Sequence, residues 1–177
     1  MVVYGASGLT SRPQARELLA LAVRETWGLS PLPEVSRREG GKPFFPERED
    51  LHFNLSHSGG MALCALDSAS VGVDIQIARE WRAGLPGRVC SGAELAWLEG
   101  QPELWPAFTL LWTLKEARAK ESGRGLASSI RDIRIPLPGP GLLEMDGLWF
   151  RTWTGPGWAA AACGRGGPPE EILWRRI

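Results

Sequence analysis

The chain is poor in cysteine and offers no disulfide framework. Its three cysteines, Cys64, Cys90 and Cys163, are an odd number without the spacing of a metal site. Two of them stand in apolar runs of small residues, which is typical of buried thiols. We therefore expect a protein of the reducing cytoplasm.

Net charge and long apolar runs are also absent. Twenty Lys and Arg residues balance twenty Asp and Glu residues, so no overall field would attract nucleic acid or a membrane, and any anion site must be local. Nowhere do eighteen apolar residues run together, and the N-terminus lacks the basic stretch and apolar core of a secretion signal. Neither nucleic acid nor a membrane is an expected partner.

Hydrophobic periodicity predicts a mixed α+β chain. With 177 residues, 44% of them hydrophobic, the chain can bury a substantial core as one compact unit or as two small fused halves. A Pro- and charge-rich loop is predicted at 30–50, and hairpin turns at 58–60 and 67–70. Helices are predicted at 13–27, 92–98 and 108–122, with Gly123 and Gly125 ending the last one. Strands are predicted at 2–4, 51–56, 61–66, 71–75, 130–135, 148–154 and 158–163.

Two carboxylates stand at positions that the sequence pattern predicts to be buried. Asp74 interrupts an apolar run of strand character, and Glu116 follows Trp112 on a helical face that should turn inward. Trp112, Glu116 and Lys120 are four residues apart, so one helical face offers an acid and a base to the same point. Taken alone, Glu116 and Lys120 fit a surface ion pair worth about 0.2–0.5 kcal/mol. Their combination with Asp74 favours a site for a metal or a charged ligand.

Four motifs in order resemble those of the 4'-phosphopantetheinyl transferases, in their larger surfactin-synthetase-activating form. The motifs are Gly41-Lys42-Pro43, Phe53-Asn54-Leu55-Ser56-His57-Ser58, Val71-Gly72-Val73-Asp74-Ile75 and the Trp-x-x-Lys-Glu-Ala-x-x-Lys block from Trp112 to Lys120. The resemblance implies an enzyme that moves the phosphopantetheine arm of coenzyme A onto a serine of an acyl or peptidyl carrier protein, releasing 3',5'-ADP.

An internal duplication is expected from the sequence and from the resemblance. Sliding the chain by 97 residues aligns Phe53 with Phe150 and Ala62 with Ala159, and brings the helix at 13–27 onto the helix that carries Glu116. Leu19 then stands where the second copy has Glu116, so a single functional centre is expected. The resemblance likewise implies a pseudo-dimer of two halves, 1–69 and 70–177, each a small antiparallel sheet packed on a long helix. Such a chain needs no second copy to complete its cleft, so a monomer is expected.

The resemblance also implies the metal and the catalytic residues. Mg²⁺, which prefers oxygen ligands, would be held by Asp74 and Glu116, with the coenzyme completing the coordination. Glu116 or a water would accept the serine proton, and Lys120 would steady the phosphates. Many relatives carry a second acid after the aspartate, whereas this chain has Gln76. We predict a two-carboxylate site with Gln76 near the ligands.

Coenzyme contacts follow from the resemblance as well. Lys42, Ser56 and His57 match family positions that contact the coenzyme phosphates. Relatives usually carry a longer basic segment near the N-terminus, and Arg12, Arg16 and Arg38 are its predicted local substitutes. Several of the candidate residues also have ordinary alternatives: a backbone-bonded histidine for His57, a solvated loop lysine for Lys42, and a solvated helix face for Arg12 and Arg16. Asp74 could instead cap the turn that follows its strand.

Two other functions stay open from the sequence. A non-catalytic module that binds coenzyme A or a carrier protein would retain Lys42 and His57 without needing metal ligands. A metal-dependent phosphohydrolase would use similar ligands with water as its nucleophile. The reaction products separate both from the transferase.

Overall fold

A computed structural model describes residues 1–11, 13–123 and 130–177. Within these ranges the chain forms four α-helices, one short 3-10 helix at Ile130–Asp132 and ten strands. The helices are α1 (Gln14–Trp27), α2 (Leu85–Val89), α3 (Gly92–Glu99) and α4 (Leu104–Ser122). The strands are β1 (Val2–Ser7), β2 (Ser36–Arg37), β3 (Pro43–Phe44), β4 (His52–Ser58), β5 (Met61–Asp67), β6 (Val71–Ile77), β7 (Leu142–Met145), β8 (Leu148–Gly155), β9 (Trp158–Gly164) and β10 (Ile172–Arg175).

The strands form two four-stranded sheets and a small ribbon. The first sheet has the order β10-β1-β5-β4, the second has the order β6-β9-β8-β7, and β2 pairs with β3. All pairs are antiparallel except β1 with β10, which is parallel. Gly59 and Gly60, both at positive φ, make the two-residue turn between β4 and β5.

Alternation along the strands produces a layered core. In β1 and β5, Tyr4 and Cys64 join the apolar cluster under α1, whereas Val3 and Leu63 join a cluster that also contains Val73 of the second sheet. Successive side chains of a strand point to opposite faces, so the first sheet is covered by α1 on one face and by the second sheet on the other. A third cluster packs α4 on the second sheet.

Gly72 explains how closely α4 approaches β6. A Cβ at this position would overlap the carbonyl oxygen of Ala117 and lie 2.5 Å from the backbone nitrogen of Glu121. Only glycine therefore allows the helix backbone to lie directly on the strand, two residues before Asp74.

The α+β class predicted from the sequence is confirmed, with several corrections to its elements. Helix α4 begins four residues earlier than predicted, at Leu104. The strand predicted at 130–135 is wrong, because the carbonyls of Ile130, Arg131 and Ile133 turn together toward the Lys115 ammonium instead of alternating. The turn at 67–70 does not close a hairpin, since β5 and β6 belong to different sheets. Gly123 caps α4 at positive φ as predicted, whereas Gly125 lies outside the described residues.

The sequence missed several smaller elements. The predicted loop at 30–50 contains the β2-β3 ribbon, and neither α2, β7 nor β10 was anticipated. Strand β10 lies within the proposed second half yet pairs with β1 of the first sheet.

Candidate active site

A cleft of about 620 Å³ opens between the two long helices. One turn of α1 and the last two turns of α4 face each other across it, with β4 between them and the segment around the β2-β3 ribbon at its side. The lining residues include Arg16, Leu19, Arg37, Lys42, Phe53, Asn54, His57, Glu116 and Lys120. The cleft therefore collects four of the predicted basic or ligand residues together with one predicted acid.

Asp74 lies beside the cleft, almost fully buried on β6. Its Oδ1 accepts hydrogen bonds from Ser56 Oγ at 2.6 Å and from Lys120 Nζ at 2.7 Å. Its Oδ2 accepts one from Gln76 Nε2 at 3.3 Å. Gln76 thus presents its amide nitrogen to Asp74, while its oxygen accepts a bond from Ser58 Oγ at 3.3 Å. In this arrangement Gln76 contacts the predicted metal-binding acid, and its place near the metal ligands stays a prediction.

Glu116 lines the cleft one helical turn before Lys120. Burial raises the pKa of the Glu116 carboxyl, and the negative charge of Asp74 raises it further, while Lys120 acts in the opposite direction. Lys120 Nζ also donates to the carbonyl of Val73 at 3.1 Å, so two of its three donors are engaged. Glu116 therefore lies in a partly desolvated environment, close enough to Asp74 and Lys120 to feel both charges.

Polar side chains, not a further strand, satisfy the free edge of β6. The backbone N–H groups of Val73, Ile75 and Ile77 donate to the side chains of Asn54, Ser56 and Ser58, at 2.9, 3.3 and 3.2 Å respectively. We call Asn54, Ser56 and Ser58 the side-chain ladder. Because the ladder residues alternate along β4, all three side chains project from the same face.

Lys42 completes this edge and ties three elements together. Its Nζ donates to Ser70 Oγ at 2.9 Å, to the Val71 carbonyl at 3.1 Å and to the Glu121 carbonyl at 2.8 Å. Burial lowers the pKa of Lys42 to about 8, against the opposing charge of Glu121. All three donors are engaged, so a coenzyme phosphate would have to displace one of these acceptors. The contact predicted from the sequence stays a prediction.

The remaining predicted coenzyme residues fall in different places. His57 and Arg16 are exposed and line the cleft. Arg38 lies in a smaller neighbouring pocket, over the ring of Phe44 at 4.3 Å and near Glu49. Arg37, the last residue of β2, which the sequence reasoning missed, lines the cleft instead. Arg12 lies outside the described residues.

Lys115, next to Glu116 in the fourth motif, has a separate role that the sequence did not reveal. Its fully buried ammonium pairs with Glu94 Oε2 at 3.0 Å and donates to the carbonyls of Ile130, Arg131 and Ile133. It therefore holds α3 and the 130–133 segment against α4, away from the cleft. Its only sequence signal was its place in the motif.

Two kinds of feature are absent from the described ranges. There, no cluster of three or more His, Cys, Asp or Glu side chains is arranged to hold a metal. In the same part of the chain, none of the helices has the length and apolar character that a bilayer crossing needs.

Comparison with known proteins identifies the family. The profile of the 4'-phosphopantetheinyl transferase superfamily matches residues 70–163, more than half of the chain. The 4'-phosphopantetheinyl transferase Sfp of Bacillus subtilis (strain 168) is 31% identical over 137 residues, which cover 72% of this chain and 61% of Sfp. The 4'-phosphopantetheinyl transferase AcpT of Salmonella typhi is 44% identical over 116 residues, covering 62% of this chain and 59% of AcpT.

The protein therefore belongs to the 4'-phosphopantetheinyl transferase superfamily, and its similarity to Sfp associates it with the larger, surfactin-synthetase-activating type. This confirms the family indicated by the four motifs. A further Bacillus subtilis 4'-phosphopantetheinyl transferase is 30% identical over 73% of this chain and 59% of its own length. The chain thus spans about three fifths of the curated relatives it matches.

Proposed function

We propose that this protein transfers the 4'-phosphopantetheine arm of coenzyme A to a serine of an apo acyl or peptidyl carrier protein, with Mg²⁺, releasing 3',5'-ADP. The observation that carries the proposal is the cleft lined by Glu116 and Lys120 of α4, with Asp74 of β6 beside it and paired with Lys120, within the region that matches the family. A volume of about 620 Å³ is within the range of small-molecule and cofactor sites.

The residues present fit a magnesium ion. Asp74 and Glu116 supply carboxylate oxygens, the ligands that Mg²⁺ prefers, and two protein carboxylates with substrate phosphates are a common Mg²⁺ environment. The raised pKa of Glu116, caused by burial and by the charge of Asp74, supports the assignment, because a divalent cation would relieve that repulsion. When bound, the ion would neutralise charge on the pyrophosphate.

Residues from several elements around the cleft would bind the phosphates of the coenzyme. Arg16 of α1, Arg37 of the ribbon and His57 of β4 could donate to its phosphates, and Lys42 lies at the same wall. Arg16 and Arg37 bring positive charge to the cleft that Glu116 also lines. Arg12, Arg38 and Ser56 stay coenzyme predictions without support from the described contacts.

The chemistry requires a new bond from the serine oxygen to the phosphorus that carries pantetheine, and cleavage of the bond from that phosphorus to 3',5'-ADP. Glu116 or a water would accept the serine proton. Lys120, held by Asp74 and Val73, would direct its remaining donor to the charge that develops on the departing phosphate.

We further propose that the halves 1–69 and 70–177 form a pseudo-dimer that works as a monomer in the cytoplasm. Two features support the duplication: β1, α1, β4 and β5 follow one another as β6, α4, β8 and β9 do, and the pairings β1-β5-β4 and β6-β9-β8 correspond. Size-exclusion chromatography with light scattering tests the monomer, and a mass of two chains would contradict it.

Intact-mass spectrometry of a purified apo carrier protein tests the main proposal. Incubation with this protein, coenzyme A and Mg²⁺ should add one phosphopantetheine mass to the carrier. EDTA or Glu116→Gln should abolish the gain. Glu99→Gln, which removes an exposed carboxylate of α3, should leave it unchanged.

The other outcomes identify the alternatives. Bound coenzyme A without any transfer to several carriers would indicate a binding module. Cleavage of coenzyme A to 3',5'-ADP and phosphopantetheine, with an unmodified carrier, would indicate a phosphohydrolase.

A further inference from the structure

We propose that Ser56 is a positioning residue that fixes the Asp74 carboxylate for cation binding, and that it is not a coenzyme ligand. The inference rests on the proposed function, because it concerns the acid that we assign to the cation. It goes beyond that function by assigning a specific task to the second serine-containing motif.

The hydroxyl of Ser56 is fully committed inside the protein. It accepts the N–H of Ile75 at 3.3 Å and donates to Asp74 Oδ1 at 2.6 Å. A serine hydroxyl has a single hydrogen to donate, so a coenzyme phosphate could receive it only if Asp74 lost it. Ser56 is also 6% exposed and is absent from the lining of the cleft, as far as the described residues define it.

The same contacts define the orientation of Asp74. Ser56 and Lys120 hold Oδ1 from two elements, β4 and α4, while the one contact of Oδ2 among the described residues is the long one to Gln76. With one oxygen fixed on both sides, rotation of the carboxylate is restricted, and Oδ2 is the oxygen left to meet a cation. Ser56 therefore couples the first sheet to an acid of the second.

The ladder supplies a matched control in Ser58. Like Ser56, Ser58 accepts a backbone N–H of β6, from Ile77 at 3.2 Å. Its hydroxyl, however, donates to Gln76 and not to Asp74. Ser56→Ala and Ser58→Ala thus both remove one ladder contact, but only the first releases the carboxylate. A purely structural role for the ladder predicts similar behaviour of the two variants.

Binding of Mn²⁺, used as a paramagnetic stand-in for Mg²⁺, is measured by electron paramagnetic resonance without coenzyme or carrier. Ser56→Ala should weaken Mn²⁺ binding by about 10- to 100-fold, the usual effect of removing a residue that orients a metal ligand. Ser58→Ala should change it by less than about threefold. Ser56→Cys, which keeps a weak donor, should fall between wild type and Ser56→Ala, and serves as well if Ser56→Ala does not fold.

Coenzyme titration in EDTA separates positioning from coenzyme binding. In calorimetry without metal, Ser56→Ala should bind coenzyme A within about twofold of wild type, since the positioning effect is on the cation. Unchanged Mn²⁺ affinity in Ser56→Ala and Ser56→Cys, or a loss equal to that of Ser58→Ala, would overturn the proposal. Weakened metal-free coenzyme binding would restore Ser56 as a coenzyme ligand. If wild type itself binds no Mn²⁺, the proposed metal site fails and this inference fails with it.

Discussion

Lys115→Met tests whether the lysine beside Glu116 is structural or chemical. Methionine keeps most of the buried stem but removes the ammonium. Glu94 would then retain the N–H of Ser91 but lose its buried counter-ion, and three carbonyls at 130–133 would lose a donor. The ion pair is enclosed, with 0% and 5% of the two side chains exposed, so solvent would compensate little of this loss.

The size of the effect follows from this burial. Removing one partner of a buried ion pair costs about 3–5 kcal/mol. For a chain of this length, about 2–4 °C of Tm is lost per kcal/mol, so the expected fall is roughly 6–20 °C. Adding Glu94→Gln, which removes the uncompensated charge but keeps an acceptor for Ser91, should recover part of the loss. The two substitutions should therefore be non-additive.

Urea unfolding followed by tryptophan fluorescence measures the free energies, since the chain has nine tryptophans. Arg134→Met is the control: its ion pair with Asp146 is exposed, and the variant should lose less than about 1 kcal/mol. The structural role would be refuted if Lys115→Met kept wild-type stability within about 1 kcal/mol and still lost transfer activity. That result would indicate that Lys115 takes part in the reaction.

Three further predictions concern the cleft. Gly72→Ala should push α4 away from β6, lowering the free energy of unfolding by about 1–3 kcal/mol and transfer activity at least tenfold. Gly92→Ala is the control, because a Cβ at this position meets nothing within 4 Å, and it should change neither quantity in the same unfolding and transfer assays. Burial lowers the pKa of Lys42 from 10.5 to about 8, so between these pH values the unfolded chain binds more protons than the folded one. The free energy of unfolding of wild type should therefore rise with pH relative to that of Lys42→Met. A difference between the two proteins that stays constant or falls between pH 8 and pH 10 in urea unfolding would contradict this. Burial and Asp74 raise the pKa of Glu116, so its ionised form destabilises the metal-free protein. In EDTA at pH 7, Glu116→Gln should therefore have a higher Tm than wild type, whereas the increase in Tm on adding Mg²⁺ should be smaller for the variant. Equal increases in Tm would exclude Glu116 as a metal ligand.

The sequence predicted those candidate site residues whose relative positions follow from their spacing along one helix. Spacing of four placed Glu116 and Lys120 on one face of α4, and the structure puts both in the cleft. It could not separate Arg37 from Arg38, because β2, which ends at Arg37, is only two residues long and has no periodic signal of its own. The apparent alternation at 130–135 also misled, since the carbonyls there respond to Lys115, a contact between distant parts of the chain.

The second motif shows how one pattern serves two purposes. The family resemblance implies coenzyme contacts for Ser56 and His57, two adjacent residues of Phe53-Asn54-Leu55-Ser56-His57-Ser58. In β4 its residues separate by alternation: Phe53 and His57 line the cleft, whereas the ladder residues bond the edge of β6. Asn54 belongs to the ladder and also borders the cleft.

The contacts of the ladder explain why β4 carries polar residues on the face that packs against the second sheet. Ser56 pairs in register with Leu63, which lies in the apolar cluster between the sheets, so a larger apolar residue at 56 would bury more area there. It would also leave the N–H of Ile75 unsatisfied and Asp74 without its hydroxyl donor, a cost of about 1–3 kcal/mol for each buried group. A shift of β4 by one residue would turn the whole ladder to the other face. The ladder therefore fixes the register between the sheets, and with it the position of Asp74 relative to Glu116 on the helix above.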